Sequence, residues 1–543
     1  MTKMADYDYI VIGAGSSGAI VASRLSEDPD VTVLLLEAGG TDRTTLVRKP
    51  GMISLVQQAK PLKARFDWGF TTVPQRKLND RLIPYTRGKV LGGSSSVNGM
   101  LYLRGNHDNY NEWAAGGCEG WSFRDVLPFF KKLENHEDGE TEYHGAGGPV
   151  QVTRHPADQI SPVSNAFVRA ASEVCGIPIG DDFNAENQHC ASIYQMSASH
   201  GVRSGTGEAY IEPSLERPNL YLEMRALVHR VVIKNGRAVG VEYEQPEGLT
   251  VAHAKREVIV SGGAIGSPQI LMLSGVGPAD HLREHGVEVK LDLPGVGKNF
   301  HDHMFFPITY RSPTSLHRGA APHFFAGMFK EYLLGNGWFG RTVFEGGAFI
   351  KSHEDAPIPD IQVHTLPWGY PTPNQDGPER AYIDPGHCLT VMPTMIYPKS
   401  RGEVLLTSKA PDHAPHIDPN YLAEPEDLQL MLTAIRKCRE ICAHAEMVEH
   451  LAEELTPGAQ RASDAELTEE IQLRGMTVYH PVGSCKMGID AMAVVDPTLK
   501  VRGIEGLRVA DASIMPNVVG GNTNAPSMMI GERAAALVQQ DAS

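Results

Sequence analysis

The chain has 543 residues, of which 41% are hydrophobic and 21% charged, the composition of a globular protein with more than one domain. It carries 49 Lys and Arg against 65 Asp and Glu, a net charge of −16. This balance disfavours nucleic acid and anionic membrane surfaces as partners, because both require a basic protein surface.

Seven cysteines occur without any CxxC pair, so the sequence favours free thiols over a disulfide framework, a zinc site or an iron–sulfur site. The N-terminal segment lacks the apolar core of a signal peptide, and no stretch approaches the ~20 apolar residues of a membrane span. We therefore expect a cytoplasmic protein without a transmembrane segment.

The first predicted elements are a strand over Tyr7–Ile12, a glycine turn, a short amphipathic helix and a second strand over Val31–Leu36. Glu37 follows the second strand, about 20 residues after the glycines, as in dinucleotide-binding βαβ units. An acid at this position is expected to accept hydrogen bonds from a ribose diol, and it disfavours NADP. The pattern predicts a nucleotide site without distinguishing FAD from NAD.

The three glycines of the turn have separate expected roles. Gly13 permits the tight turn, and Gly15 lets the backbone approach a pyrophosphate. Gly18 lets the helix pack against the strand, with free N–H groups at the helix N-terminus directed at the phosphates.

Two later segments are rich in small residues, namely Arg87–Gly99 (RGKVLGGSSSVNG) and Gly263–Gly277 (GAIGSPQILMLSGVG). Such a backbone can lie flat against a large planar ligand with its N–H groups directed at it. A mobile Gly/Ser loop explains the first segment nearly as well when it is taken alone.

With these two segments the sequence resembles the glucose–methanol–choline (GMC) oxidoreductases along the full length of that family's signatures. Shorter motifs agree in order: Phe66-Asp67-Trp68, His301-Asp302-His303, Ser400-Arg401-Gly402, Ile417–Leu422, Tyr479-His480-Pro481 and Gly520–Pro526. The resemblance extends from about Tyr7 to Arg533.

The resemblance implies an α/β fold (α+β overall), with a Rossmann-like FAD-binding domain and a second, substrate-binding domain built on an antiparallel sheet. The FAD-binding domain is expected to be discontinuous, at 1–155, 200–305 and 470–543, and the substrate-binding domain to comprise 156–199 and 306–469. The apolar runs Leu227–Ile233 and Glu257–Ser261 fit the sheet of the FAD domain. The stretch 312–393, rich in Pro, Gly, His and aromatic residues, is predicted to be an irregular wall on the substrate side.

FAD is the cofactor that the resemblance implies. The residues expected to contact it are Gly13, Gly15, Ser16, Ser17, Gly18, Glu37, Ala38, Trp68, Arg87, Val90, Gly92, Gly93, Asn98, Gly99, Met100, Leu101, Val228, Gly262, Asp511, Ala512, Asn522 and Thr523. Asn98 is equally well explained as a turn residue. Some relatives attach FAD through a histidine in the first signature; Val97 stands there and cannot form that bond, so we expect non-covalent FAD.

Oxidation of an alcohol requires a base for the hydroxyl proton while the hydride leaves the carbinol carbon for the flavin. The Tyr479-His480-Pro481 motif identifies His480 as that base by resemblance. The partner position of the family, either His or Asn, is assigned to Asn524, which is expected to hold the substrate oxygen. The expected reaction converts a primary alcohol to an aldehyde.

Five residues are predicted to line the substrate pocket: Phe344, Glu345, Trp368, Val478 and Tyr479. Glu345 aligns with the glutamate that faces the trimethylammonium group in choline oxidases, although a structural role is at least as good an interpretation. The aromatic residues are explained equally by ordinary core packing. Aliphatic or aromatic primary alcohols are the first expected substrates, and choline or another amino alcohol is the second.

The electron acceptor stays open between O2 and a quinone-type acceptor. Val478 matches a small apolar position that guides oxygen in choline oxidase-like members, whereas the overall motif pattern is closest to bacterial choline and alkanol dehydrogenases. Other hypotheses are an alcohol or choline oxidase, a lyase or photodecarboxylase on the same fold, and a non-catalytic flavin-binding protein. No metal site is expected, because adjacent residues of the His301-Asp302-His303 strand face opposite ways.

Overall fold

The fold is described from a computed structural model, which covers residues 5–53, 56, 59–314, 323–335, 338–370, 372–374, 377–382 and 386–542. The helices are Gly18–Leu25, Thr45–Arg48, Lys60–Phe66, His107–Ala115, Phe123–Leu133, Pro162–Cys175, Glu212–Ser214, Gly263–Leu273, Ala279–Glu284, His323–Leu334, Pro425–Cys442, Ala445–Val448, Asp464–Arg474 and Asn524–Ala542. Single turns of 3₁₀ helix occupy Arg76–Leu78, Gly93–Ser96, Ala157–Gln159, Trp338–Gly340 and Ala512–Ile514, and a π-helical turn occupies Gly207–Ile211. None of the described helices is both long and apolar enough to cross a bilayer.

A seven-stranded mixed sheet forms the first layer. Its strands, in spatial order, are Leu220–Met224, Val33–Glu37, Ala5–Ile12, Gly248–Val260, Arg237–Gln245 and Leu227–Lys234, with Leu507–Val509 beside Gly248–Val260. The strands around the N-terminal one are parallel, and Ile10 pairs with Leu34 on one side and Val258 on the other. Val33–Glu37 is buried on both faces, as expected for a central parallel strand covered by helices.

An eight-stranded antiparallel sheet forms the second layer. Its strands are Glu454–Thr456, Ile308–Arg311, Cys388–Met395, Ile361–Leu366, Gly346–Ile350 and Ala191–Ile193, with Met304–Phe305 and Met476–Thr477 paired at its side. Shorter paired strands elsewhere are Phe70–Thr71, Pro84–Tyr85, Glu134–His136, Val150–Val152, Ala198–Ser199, Val202–Arg203, Val276–Gly277, Leu291–Asp292, Thr372–Asn374, Gly377–Tyr382, Glu403–Leu405 and His416–Asp418.

The two faces of the second sheet have different partners, following the two-residue period of a strand. Ile361 and Val363 pack into a core that includes residues of the helices Pro162–Cys175 and Pro425–Cys442. His364 and Leu366 line a cavity instead. The sheet is therefore a wall with a helical backing on one side and a site on the other.

The predicted α/β fold class is confirmed, but one prediction for this region is wrong. Two strands of the second sheet, Gly346–Ile350 and Ile361–Leu366, and most of a third, Cys388–Met395, lie inside the stretch 312–393 that was predicted to be irregular. Residues 315–322, 336–337, 371, 375–376 and 383–385 of that stretch lie outside the described residues. The domain boundaries stay a prediction. Two short strands, Met304–Phe305 and Met476–Thr477, fall in segments assigned to the FAD domain, but they pair with the second sheet.

Candidate active site

One cavity of about 1080 Å³ runs between the two sheets and takes its lining from both. Nineteen of the 22 residues predicted to contact FAD line it: Gly13, Gly15, Ser16, Ser17, Glu37, Ala38, Trp68, Arg87, Gly93, Asn98, Gly99, Met100, Leu101, Val228, Gly262, Asp511, Ala512, Asn522 and Thr523. His480, Asn524, Phe344, Trp368, Val478 and Tyr479 also line it. The cavity has a nucleotide end, at the glycine turn, and a reaction end, at His480.

Backbone packing shapes the nucleotide end. Gly13 has φ +94°, and a Cβ atom there would lie 2.4 Å from the carbonyl oxygen of Ser261. Gly93 has φ +53°, and its Cβ would lie 2.7 Å from Cα of Gly15. The first small-residue segment, Arg87–Gly99, therefore contacts the glycine turn through backbone atoms, and a side chain at Gly93 would collide with that turn.

Glu37 ends its strand inside the cavity wall. Its two carboxylate oxygens accept hydrogen bonds from the backbone N–H groups of Ala14 (3.0 Å) and Gly39 (2.7 Å). Burial raises the pKa of Glu37 to about 7, although these bonds and the charge of Lys89 oppose the rise. The carboxylate thus holds the turn in place while it faces the ligand space.

Three predicted contact residues do not line the cavity. Gly18 packs against the turn, because a Cβ there would lie 2.0 Å from the carbonyl oxygen of Gly13. Val90 is buried in a small apolar cluster with Val47 and Phe66. Gly92, at φ +85°, makes the bend that precedes Gly93.

Asp302 fixes the main chain of His480 at the reaction end. The carboxylate Oδ1 of Asp302 accepts from the backbone N–H of His480 at 2.8 Å. Its Oδ2 accepts from the hydroxyl groups of Tyr421 (2.6 Å), Thr477 (2.5 Å) and Tyr85. Since all five groups are well buried, the position of His480 is determined by a polar cluster shielded from water.

The residue before His480 has an unusual backbone conformation. Tyr479 has φ +64°, a left-handed value that is uncommon for a bulky residue and costs about 1–3 kcal/mol. The Thr477 hydroxyl, which accepts from the N–H of Tyr479 at 2.6 Å, and Arg87, which donates to its carbonyl at 2.6 Å, hold it there. The strained turn directs the His480 ring into the cavity.

Other imidazoles surround the His480 ring. Burial lowers the pKa of His480 well below 6.5, and the nearby His303, His364 and Arg87 lower it further. The imidazole is therefore neutral near pH 7, the state in which it can accept a proton. Its Nδ1 lies 3.0 Å from Nδ1 of His303, and its Nε2 lies 3.1 Å from Nδ2 of Asn522.

The asparagine beside His480 is Asn522, not Asn524 as predicted. The side-chain oxygen of Asn524 accepts from the Ser16 hydroxyl at 2.8 Å, which ties the start of the C-terminal helix to the nucleotide turn. Residue 524 is the first of that helix, whereas residue 522 is in the preceding loop, so their side chains point to different ends of the cavity.

Apolar side chains enclose the rest of the reaction end. They are Phe305, Val343, Phe344, Leu366, Trp368, Met392, Met476 and Val478. Glu345 does not line the cavity, contrary to its predicted place in the pocket. Its carboxylate accepts from the N–H of Ser161 (3.0 Å) and the hydroxyl of Ser164 (2.8 Å) at the start of the helix Pro162–Cys175, because it points to the opposite face from Phe344.

Comparisons with known proteins identify the family. Two family models, both described as GMC oxidoreductase, match residues 7–305 and 398–531. The chain belongs to the GMC oxidoreductases. The predicted family is thereby confirmed, and the family implies FAD as the cofactor, which the glycine turn, the buried acid and the volume of the cavity fit.

Relatives of this GMC oxidoreductase match it along nearly their whole length. An alcohol dehydrogenase [acceptor] of Pseudomonas putida is 40% identical over 98% of this chain and 95% of its own. An oxygen-dependent choline dehydrogenase of Sinorhizobium fredii is 40% identical over 97% and 94%. Among solved structures, pyridoxine 4-oxidase from Mesorbium loti has a TM-score of 0.88 at 28% identity and covers 99% of both chains.

Sequence reasoning missed the residues that lie behind His480 in this GMC oxidoreductase. The His301-Asp302-His303 triplet was considered only as a family motif and as a metal site that was not expected, yet Asp302 and His303 both contact His480. Strand alternation gave no signal for this, since it places adjacent residues on opposite faces, whereas Asp302 binds the main chain of His480 and His303 contacts its ring. His364 gave no signal either, because it lies in a strand that was not predicted.

Among the described residues, one group of side chains could reach a common metal ion: His281, Glu284 and His285, at the protein surface. Nε2 of His281 accepts a hydrogen bond from the N–H of Leu406 at 3.0 Å, so Nε2 is occupied and the ring proton lies on Nδ1. Neither nitrogen then has a lone pair available for a metal ion. The cluster carries no argument for a metal.

Proposed function

We propose that this GMC oxidoreductase oxidises an apolar primary alcohol to the aldehyde, with His480 as the base. One observation carries the proposal: a neutral, buried imidazole presents Nε2 beside a carboxamide in a cavity whose other end is built for a dinucleotide. Bound FAD would supply the hydride acceptor. The nucleotide turn, the first signature and the segment Asp511–Ala512 would hold it.

His480 and Asn522 have complementary tasks in this proposal. Nε2 of His480 takes the hydroxyl proton, because an alkoxide releases hydride more readily than an alcohol. The Asn522 amide donates to the same oxygen and stabilises the negative charge that develops there. Its orientation is preset, since its Oδ1 accepts from Nε2 of Gln362 at 3.3 Å.

The substrate class follows from the walls of the reaction end. Phe305, Leu366, Trp368 and Met392 offer apolar surface to the substituent of the alcohol. No described carboxylate side chain lines that end of the cavity, and Glu345 is engaged elsewhere, so a quaternary ammonium group would lack a charged partner. We therefore rank aliphatic and aromatic alcohols above choline.

Three further points belong to the proposal. Non-covalent FAD is supported by Val97, whose side chain cannot bond to the ring, and release of free flavin by acid precipitation tests it. A cytoplasmic location is supported by seven free cysteines. The acceptor is O2 or a quinone-type compound; one relative is named for an unspecified acceptor and another for oxygen. Oxygen uptake measured against quinone-dye reduction on one alcohol separates the two.

The test of the base is His480→Ala. We expect flavin reduction by alcohol under anaerobic conditions to slow by at least about 10², with FAD still bound, because the proton acceptor alone is removed. His136→Ala is the matched control, since His136 is equally buried and lies outside the cavity lining. Near-normal reduction by the His480 variant would exclude the proposed base.

A further inference from the structure

The ring of His480 contacts a second imidazole that no part of the proposed reaction uses. His303 is fully buried, and its ring is nearly perpendicular to that of His480 at 89°. The two Nδ1 atoms lie 3.0 Å apart. A hydrogen bond between two neutral imidazoles needs one N–H and one lone pair, so one ring must be the donor and the other the acceptor.

The far side of His480 determines which ring donates. Asn522 has its Oδ1 occupied by the amide of Gln362, which leaves the Asn522 amide nitrogen facing Nε2 of His480 at 3.1 Å. An amide nitrogen only donates, so Nε2 of His480 must offer its lone pair. The single proton of the neutral His480 ring therefore lies on Nδ1, the nitrogen that faces His303.

The ring of His303 is compatible with this arrangement. Burial lowers the pKa of His303 to about 3, so its ring is neutral and carries a single proton. Nε2 of His303 makes no hydrogen bond within the described part of the chain, so the position of this proton follows from His480 alone. A ring whose Nδ1 accepts the proton of His480 must carry its own proton on Nε2.

Asp302 supplies the second half of the arrangement. Its carboxylate holds the backbone N–H of His480, and the adjacent residue holds the ring. Two consecutive residues thus fix both the position of the base and the nitrogen that carries its proton. Orientation of an imidazole by a partner on its non-reacting nitrogen is the role of the aspartate in serine-protease triads, where the wrong tautomer costs about 10⁴ in kcat.

We propose that His303 is a positioning residue that keeps the proton of His480 on Nδ1, so that Nε2 carries the lone pair that accepts the proton of the alcohol. The inference rests on the proposed function of His480. When Nε2 takes the hydroxyl proton, Nδ1 keeps its own, and the resulting imidazolium donates to Nδ1 of His303. No proton passes to His303.

Two substitutions separate this role from packing. His303→Asn places a side-chain oxygen near the former Nδ1 and retains an acceptor, whereas His303→Leu fills similar space without one. We expect His303→Leu to bind FAD and a substrate analogue within about threefold of the parent, but to slow anaerobic flavin reduction at least about tenfold. His303→Asn is expected to recover most of that rate, and His136→Leu, the matched buried control, to keep it.

A measurement on the unmodified holoenzyme makes the proposal independent of how the variants fold. In protein with ¹⁵N-labelled histidine, the nitrogen shifts of His480, assigned by loss of its signals in His480→Ala, report which nitrogen carries the proton. A proton on Nδ1 supports the proposal. A proton on Nε2 overturns it.

The outcomes also separate this inference from the proposed function. If the flavin of His480→Ala is reduced at the normal rate, His480 is not the base, and the positioning role of His303 is then excluded as well. If His480→Ala is inactive while His303→Leu matches the parent, only the positioning role is lost. Equal loss in His303→Asn and His303→Leu, with FAD bound in both, would show that volume matters rather than the acceptor.

Discussion

The two ends of the cavity are built by different means. At the nucleotide end, backbone segments meet with almost no side chain between them, as where Gly93 lies against Gly15. At the reaction end, side chains from distant segments converge, such as His303, His480 and Asn522. The nucleotide end should therefore be sensitive to atoms that are added, and the reaction end to polar atoms that are removed.

The largest effect is expected at the nucleotide end, from Gly13→Ala. The added methyl would meet the carbonyl oxygen of Ser261 at 2.4 Å, and the φ of +94° is unfavourable for alanine by about 1–3 kcal/mol. We expect a protein that is purified with little or no flavin, or not at all. The ratio of flavin to protein absorbance and the Tm measure this.

Gly40→Ala is the matched control in the same region. Gly40 follows the neighbouring strand, Val33–Glu37, and a Cβ there would meet no atom within 4 Å. Its flavin content should equal that of the parent. Normal flavin in Gly13→Ala would contradict the idea that close backbone approach shapes this end.

At the reaction end, Asn522→Ala and Asn524→Ala are expected to differ in kind. Asn522→Ala removes the donor beside Nε2 of His480 and should slow flavin reduction roughly 10²-fold with FAD bound. Asn524→Ala removes the bond to the Ser16 hydroxyl, worth about 1 kcal/mol, and should weaken FAD retention while the loaded fraction reacts nearly normally. Stopped-flow reduction and flavin titration separate the two. The reverse result would restore Asn524 as the partner of the base.

The same contrast explains what could be read from the sequence. The nucleotide end is specified by local motifs, because its small residues are consecutive in the sequence, even where they pack on distant backbone as Gly13 does on Ser261. Most of its residues were identified. Which asparagine contacts His480 depends on where the C-terminal helix begins. Asn524 is the first residue of that helix, and Asn522 lies in the loop before it. A motif alone does not carry that information.

The antiparallel second sheet was expected from the family resemblance, but its strands were not located in the sequence, for a related reason. Ile361–Leu366 is buried along its whole length, including His364 and Thr365, because one face meets helices and the other meets the cavity. The strand therefore lacks the alternation of buried apolar and exposed polar residues by which half-exposed strands are recognised. The segment was predicted to be irregular because the stretch around it is rich in Pro, Gly, His and aromatic residues.

A smaller effect is expected for Glu345→Gln, which tests whether Glu345 stabilises the fold or contacts the substrate. The carboxylate holds Ser161 and Ser164 at a helix N-terminus, so loss of its charge should cost about 1–3 kcal/mol and lower the Tm by a few degrees. The ratio of kcat/KM for an apolar alcohol over choline should not change. A selective loss of choline turnover would place Glu345 in the substrate pocket instead.

The smallest effect expected is in the pH dependence of the reaction end. The pKa of His480 is lowered by burial first, and then by His303, His364 and Arg87, which face it. A lowered pKa means that protonation, and with it the loss of the base, occurs only at more acidic pH than for a free imidazole. Log kcat/KM should therefore stay level from pH 8 down to about 6.5 and fall with unit slope only below that. An acid limb centred above pH 6.5 would show that the pKa of His480 is raised in the working enzyme. A negative charge near the ring, supplied by a bound ligand, would then outweigh the effect of burial.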